Sequence, residues 1–531
     1  MSLATEKVDL LERAGDWLNP ILIKETRQAL KSRQFIVTFL LMLIASWLIS
    51  VFGVLGAGES LEFGSAGRAF FVFYYDVLAL AIFAVVPYTA YRGLLNERDQ
   101  TTLEMLSITS LSPRQLIWGK LCSALVQVFI YYSAIAPFIA FTSMLQGFDF
   151  VMVAFVLLMS LLITLCLTMF ALTIAAVPQN KGAQGGSTLL ILGAMVFIVI
   201  SVLSSTPALL MAAIPFDQRE FWVVIGCYVV ASLSFFFLFQ QIAVAHLTFE
   251  SDNRSTGIRL ACSLQFVLYW LSFSVVIWLL GSARGSISAR DGVYFASFAI
   301  LHSAMIGFFA ATEIDFVSRR VRRGIPNSTL LRLLSIPFLP GGHRGFLYVL
   351  LHLGLVPVFA TALFGIDLLG KSFGSWEGPW LLTLMLYVIT YLGLGTAMGR
   401  GLRRLSAEVR PMHVRVIILI LFLVGLIVPY LPMMFGVKQG ELDQFVILRV
   451  TNPFETLNAV AGNGQFSSGG MAAAQSVTTE ITLLSIAALL GLLFNLGPMF
   501  VGIREVMQQP RRVSTPEFND EAAASLEATG A

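Results

Sequence analysis

Two ionisable side chains stand well inside long apolar runs: Asp76, which follows Tyr74 and Tyr75, and His302. A carboxylate or an imidazole in hydrocarbon is costly. Such groups either carry ions or protons along a pathway or are satisfied by a neighbouring Tyr, Ser or backbone group inside a helix bundle. The second case is the expectation for both, with a pathway role as the alternative. The other residues able to do chemistry lack the spacing that catalysis or metal binding requires. Cys122, Cys166, Cys227 and Cys262 all fall in apolar runs, with no CxxC pair and no His at ligand spacing, and read as packing residues. No GxxxxGK[ST] loop occurs: residues 181–187, Lys-Gly-Ala-Gln-Gly-Gly-Ser, are Gly-rich but lack the phosphate-reaching Lys, and read as a flexible loop. Gly393, Gly395, Gly399 and Gly401 follow no strand and read as small-residue packing at the end of a span. There is no HExxH either, so the chain is expected to be no enzyme and to hold no metal or cofactor of its own.

The elements that position these residues must be membrane helices. Of 531 residues 57% are apolar and 12% charged, against about 25% charged in soluble domains. A soluble globular domain and a disordered chain are both excluded. The apolar runs are far too long for the strands of an outer-membrane barrel, which leaves a helical bundle. Hydropathy windows of about 19 residues place spans near 35–57, 67–92, 115–144, 149–177, 187–212 and 221–245, then 257–280, 291–312, 345–367, 377–398, 412–434 and 478–502. The first run starts behind a basic segment and is too long for a signal core, so it is expected to remain as a span.

Twelve spans put both termini on one side, and charge selects the side. With the N-terminus inside, about 27 of the 34 Lys and Arg residues are cytoplasmic and about 7 are outside. A multi-pass protein of the cytoplasmic membrane with both termini inside is therefore expected. The net charge of +3 is too small to imply nucleic acid. Shifting the first five spans by roughly 228 residues lands them within spans seven to eleven, as in a parallel duplication. His302 then lies within two residues of the position matching Asp76. The expected fold class is an all-α polytopic membrane protein of about twelve spans in two six-span repeats, preceded by an amphipathic interfacial helix. The expected divisions are a cytoplasmic N-terminus (1–34), a first half (35–245), a second half (246–502) with a long outside loop (436–478), and a disordered cytoplasmic tail (503–531).

Two segments outside the spans carry more than topology. Asn19 and Pro20 form a favourable N-cap and first position, so a helix is expected from Ile21 to Arg33. On it Lys24, Arg27, Gln28 and Lys31 share one face and Leu22, Thr26, Ala29 and Leu30 another; with Arg33 the basic residues suit the headgroups of a lipid bilayer. Between spans two and three, Thr101 and Glu104 have capping-box spacing, and Ser112, Pro113 and Gln115 repeat the device. They bracket a short helix with Leu103, Leu106 and Ile108 on its apolar side and Glu97, Arg98, Asp99 and Glu104 at its start, where acidic residues suit the helix dipole. A cytoplasmic partner could grip it, and a merely rigid loop is the plain alternative.

This stretch, Glu97-Arg98-Asp99-Gln100-Thr101-Thr102-Leu103-Glu104-Met105-Leu106, then Thr109-Ser110-Leu111-Ser112-Pro113 and Gly119-Lys120, resembles the ABC-2 type permease family. So does the opening Asn19-Pro20-Ile21-Leu22-Ile23-Lys24-Glu25. Thr101 stands where the family has Gly, and Ser110 where it has Pro. The resemblance covers about residues 15–245; in the second half the corresponding inside loop carries Arg319, Arg320, Arg322 and Arg323 in place of the acidic start. It implies a membrane subunit of an ATP-binding-cassette exporter. Glu97, Arg98, Thr101, Leu103, Glu104 and Leu106 would couple to a separate cytoplasmic ATPase subunit, which would bind ATP and Mg and drive a transported substrate outward. The residues alone leave two other functions open: an ion- or proton-coupled secondary transporter using Asp76 and His302, and a membrane scaffold or sensor without transport.

Overall fold

The computed structural model describes residues 20–57, 66–99, 112–145, 150–177, 181–211, 214–249, 251–284, 289–366, 376–406, 408–435, 446–465 and 470–509. Among these residues there is no strand, and twelve helices are long and apolar enough to cross a bilayer. The chain is an all-α polytopic membrane protein. Hydrocarbon offers no partner for backbone polar groups, so each crossing must close its own hydrogen-bond ladder. Two compact units result, Met1–Glu250 with Gly257–Ser286, and Ser251–Thr256 with Ile287–Ala531. The division falls after the seventh spanning helix, one helix later than the 245/246 boundary drawn from the repeat.

The first unit opens with α1 (Pro20–Leu30). Lys24, Arg27, Gln28 and Lys31 are exposed, Ile21 is buried, and Leu22, Thr26, Ala29 and Leu30 are half-buried. The helix stops short of Arg33 because Ser32 caps the next one, its Oγ accepting from the Phe35 N–H at 3.2 Å. That next helix, α2 (Arg33–Ala57), is the first span. The second span joins α3 (Ala66–Leu80), a π-helical turn (Ala81–Val85) and α4 (Val86–Asp99). Pro87 has no N–H to give the Phe83 carbonyl, and just before it the ladder slips: the Val86 N–H reaches back five residues to the Ala81 carbonyl. This span is the centre of its unit, with 56% of its most apolar window buried against 11% for the sixth span.

Against it pack α5 (Pro113–Ser143), α6 (Phe150–Ala176) and α7 (Lys181–Met211); α8 (Arg219–Leu247) packs outside them on α5 and α6, followed by α9 (Ser255–Arg284). The Gly-rich stretch 181–187 is not a loop but the first two turns of α7. Glycine lowers helix propensity by only about 1 kcal/mol per residue, and tertiary bonds outweigh it: the Tyr91 hydroxyl bonds Ser187 and Thr188, each at 3.0 Å. α9 lies along α8, with Gln265 donating to Ser234 at 3.5 Å.

The second unit contains α10 (Ala289–Ala310), α11 (Arg319–Arg323), α12 (Thr329–Ser335), α13 (Gly342–Phe364), α14 (Glu377–Leu405), α15 (Pro411–Ile427) with 3-10 turns to Phe435, α16 (Val446–Arg449), α17 (Pro453–Gln465) and α18 (Gly470–Met507). α14 and α18 cross closely: a Cβ on Gly393 would stand 3.0 Å from the Gly491 backbone. Asn495 seals the crossing, donating to the Gly393 carbonyl at 2.8 Å and accepting from Thr396 at 3.0 Å. The 436–478 segment is not simply an outside loop. Tyr387 donates to the Val450 carbonyl at 2.7 Å and Tyr391 to the Thr451 carbonyl at 2.5 Å. Thr451 therefore lies about 16 Å along α14 from Trp380, at 1.5 Å per residue. α16 and α17 form a helical hairpin packed on α14, its turn satisfied by Asn452, which bonds the Leu426 carbonyl and caps α17 through the Phe454 N–H. Residues 503–507, assigned to the tail by hydropathy, continue α18; the rest of that tail from 510 lies outside the described residues.

Candidate functional site

At the base of the 100–111 loop, whose residues Thr101, Leu103, Glu104 and Leu106 lie outside the described residues, the two flanking segments are pinned to a common platform. Before the loop, α4 ends with Glu97 and Arg98. After it, α5 starts at a capping box: Ser112 Oγ accepts from the Gln115 N–H at 3.3 Å and Gln115 Oε1 accepts from the Ser112 N–H at 2.9 Å, with Pro113 at the first position. Two turns further along α5, Lys120 is buried. Its Nζ lies 2.9 Å from Glu97 Oε2 and 3.1 Å from Glu25 Oε2 of α1, and the three side chains are only 3%, 16% and 16% exposed. One cation thus ties together the interfacial helix, the end of the second span and the start of the third. Arg98 extends the platform to the fourth span, donating to the Ala175 carbonyl at 3.2 Å and to the Val177 carbonyl. Those carbonyls end α6 and have no donor within that helix, so a cation there also suits the helix dipole. Through Tyr91 the same end of the second span holds the fifth.

The basic residues named from sequence on the interfacial helix, Lys24, Arg27 and Lys31, together with Arg33, are exposed beside this platform. The in-span pair divides between the units. Asp76 lies five residues before the π-helical turn; its Oδ1 is buried and finds no hydrogen-bond partner among the described residues. His302 is half-buried near His352, whose Nδ1 meets the Tyr348 carbonyl at 2.9 Å. Nor are these the only ionisable groups within helices. Glu480 is fully buried and paired with Arg449. α18 begins at Gly470, ahead of the hydropathy-defined span, so Glu480 sits in its third turn rather than at its mouth.

The second unit has a charged network of its own at the helix ends. Asp315 Oδ1 lies 2.6 Å from His343 Nδ1 and accepts the His343 N–H at 3.1 Å; Glu505 receives Arg344 at 2.5 Å and Arg322 at 3.0 Å. Burial pushes the Asp315 carboxyl up, but the bonds and charge of His343 and the charge of Arg400 outweigh it and bring the group down to about 2. A carboxylate lowered in the folded state stabilises above its unfolded pKa and ceases to as pH falls through the folded one. The acid side of the melting curve is therefore expected to drop between about pH 4 and pH 2, and Asp315→Asn to flatten that drop. A variant with an unchanged acid limb would show that the pair contributes nothing.

No metal-binding group of three or more ligands occurs among the described residues. Comparison with known proteins finds no matching family model, no matching curated relative and no matching solved structure. Sequence reasoning missed Glu25 and Lys120 as partners, although Lys120 carried a signal: a lone cation among Leu116, Ile117, Leu121 and Ala124, all buried.

Proposed function

We propose that this chain is the permease subunit of an ABC-2 type transporter in the cytoplasmic membrane, with both termini inside, exporting a substrate with energy from a separate ATPase subunit that binds ATP and Mg. The observation that carries this reading is the clamp at the base of the 100–111 loop. A force applied to a loop whose ends are tied through Glu97, Lys120 and Arg98 reaches the interfacial helix and spans two, three and four together. That is what a lever between a nucleotide-driven partner and a two-state bundle requires.

Glu104→Lys tests it. The change removes the reciprocal cap that the Thr101–Glu104 spacing implies and puts a cation where that spacing starts a helix, a local cost of about 1 kcal/mol, too small to unfold a bundle of this size. Coupling energies between sites are themselves only about 1–3 kcal/mol. The expected result is an inserted, normally melting protein whose ATPase partner either fails to co-purify or hydrolyses ATP without transport. Equal transport and equal partner affinity at matched expression would remove the loop as the coupling site. The buried Asp76 Oδ1, without a hydrogen-bond partner among the described residues, favours one competing reading, an ion- or proton-driven carrier. Transport that survives loss of the ATPase and fails in Asp76→Asn would select it.

A further inference from the structure

Residues 311–341, between α10 and α13, fold into a compact element. Val317, Val321, Ile325, Ile336 and Leu339 bury themselves with Val506 near the end of α18. Within this element α12, Thr-Leu-Leu-Arg-Leu-Leu-Ser, is laid down with reversed polarity. Arg332 is 5% exposed, whereas Leu330, Leu331, Leu333 and Leu334 are 66%, 56%, 52% and 59% exposed. The guanidinium donates to the carbonyls of Pro326 at 3.1 Å, Met507 at 3.2 Å and Gln509 at 2.8 Å. Met507 ends α18 and Gln509 follows it by two residues, where carbonyls have no helical donor and a cation is favoured. Arg332 therefore pins α12 against the end of the last span, its leucines turned outward.

Two further observations say what covers the leucines. At 100° per residue they occupy an arc of about 160° opposite Arg332, wider than the i, i+3, i+4 stripe that a protein groove takes. The neighbouring α11 supplies Arg319, Arg320, Arg322 and Arg323, all exposed. Arg320 pairs with Asp252 and Arg322 with Glu505, while Arg319 and Arg323 make no ion pair among the described residues. A broad apolar face with unneutralised cations beside it is complementary to a leaflet containing anionic phospholipid.

We propose that α11 and α12 form a monotopic anchor on the cytoplasmic leaflet, with the four leucines among the acyl chains and Arg319 and Arg323 on anionic phospholipid headgroups. The anchor ties the ends of the eighth, ninth and twelfth spans to the membrane surface, and it stands or falls independently of the ATPase reading.

The test uses the full chain, its four native cysteines replaced, reconstituted in phosphatidylcholine vesicles with and without phosphatidylglycerol. An environment-sensitive fluorophore is placed on Leu331→Cys, on Leu334→Cys as a second site, and on Glu408→Cys, an exposed polar inside position, as the reference. Brominated acyl chains are expected to quench the two α12 probes roughly threefold more than the reference, and aqueous iodide correspondingly less. Arg319→Gln with Arg323→Gln is expected to lower the phosphatidylglycerol retained on the purified protein about twofold. Equal iodide access at all three probes without bromolipid quenching would overturn the proposal. So would shielding that arises only when a soluble ATPase is added, since the face would then be a protein interface.

Discussion

Lys120→Met is expected to lower the stability of the folded protein by up to about 3 kcal/mol, because it leaves the half-buried Glu25 and Glu97 without the cation that both of them contact. The loss belongs to the stranded carboxylates rather than to the missing lysine. Consequently the neutral triple variant Glu25→Gln, Glu97→Gln, Lys120→Met should recover most of it, since replacing all members of a buried ionic group by uncharged ones is often close to neutral. The two variants separate stability from mechanism. If the clamp transmits motion, the triple variant melts near wild type yet still couples ATP turnover to transport poorly, because amide contacts no longer hold α1, α4 and α5 together. Thermal melting in detergent and transport at matched expression check both parts. A Lys120→Met protein that melts like wild type would show that the ion pairs contribute nothing.

Gly345→Ala is expected to be as damaging, for a steric reason. A Cβ at this position of α13 would lie 2.0 Å from the Ala310 carbonyl oxygen and 2.3 Å from its carbon, and both are backbone atoms that no rotamer change can move. Overpacking against side chains costs about 1–3 kcal/mol; against backbone the cost should exceed that range. Gly354 on the same helix is the internal control, because a Cβ there meets nothing within 4 Å. Gly354→Ala should be neutral or gain up to about 1 kcal/mol from improved helix propensity. Equal melting of the two alanine variants would mean that α10 and α13 do not approach as closely as Gly345 allows.

Much of the architecture was legible in the residues. Twelve spans followed from hydropathy because a crossing needs about 20 mostly apolar residues whatever packs beside it. The faces of α1 followed from the spacing of Lys24, Arg27, Gln28 and Lys31, and the start of α5 from Ser112, Pro113 and Gln115, because caps and amphipathic faces are local. The loop between the second and third spans was legible only in part: the capping-box spacing of Thr101 and Glu104 lies outside the described residues, and nothing in the spacing said that Glu97 would meet Lys120, or that Glu25, 95 residues from that lysine, would join them.

The amino-acid sequence by itself determined the material and the punctuation of this protein: helices, their number and their caps, each dictated within a turn or two of chain by hydrocarbon and by the unsatisfied ends of helices. Only the tertiary structure decided which charges are buried and with whom. Hydropathy averages over a helix, whereas the fate of one side chain depends on the rotation and depth of its helix against neighbours distant in sequence. Lys120, Glu480 and Arg332 show the difference. Each is buried in or beside a helix, and each is kept there by partners that packing alone delivers: carboxylates from two other helices, Arg449 of the α16–α17 hairpin, and the carbonyls of Met507 and Gln509 at and just past the end of α18.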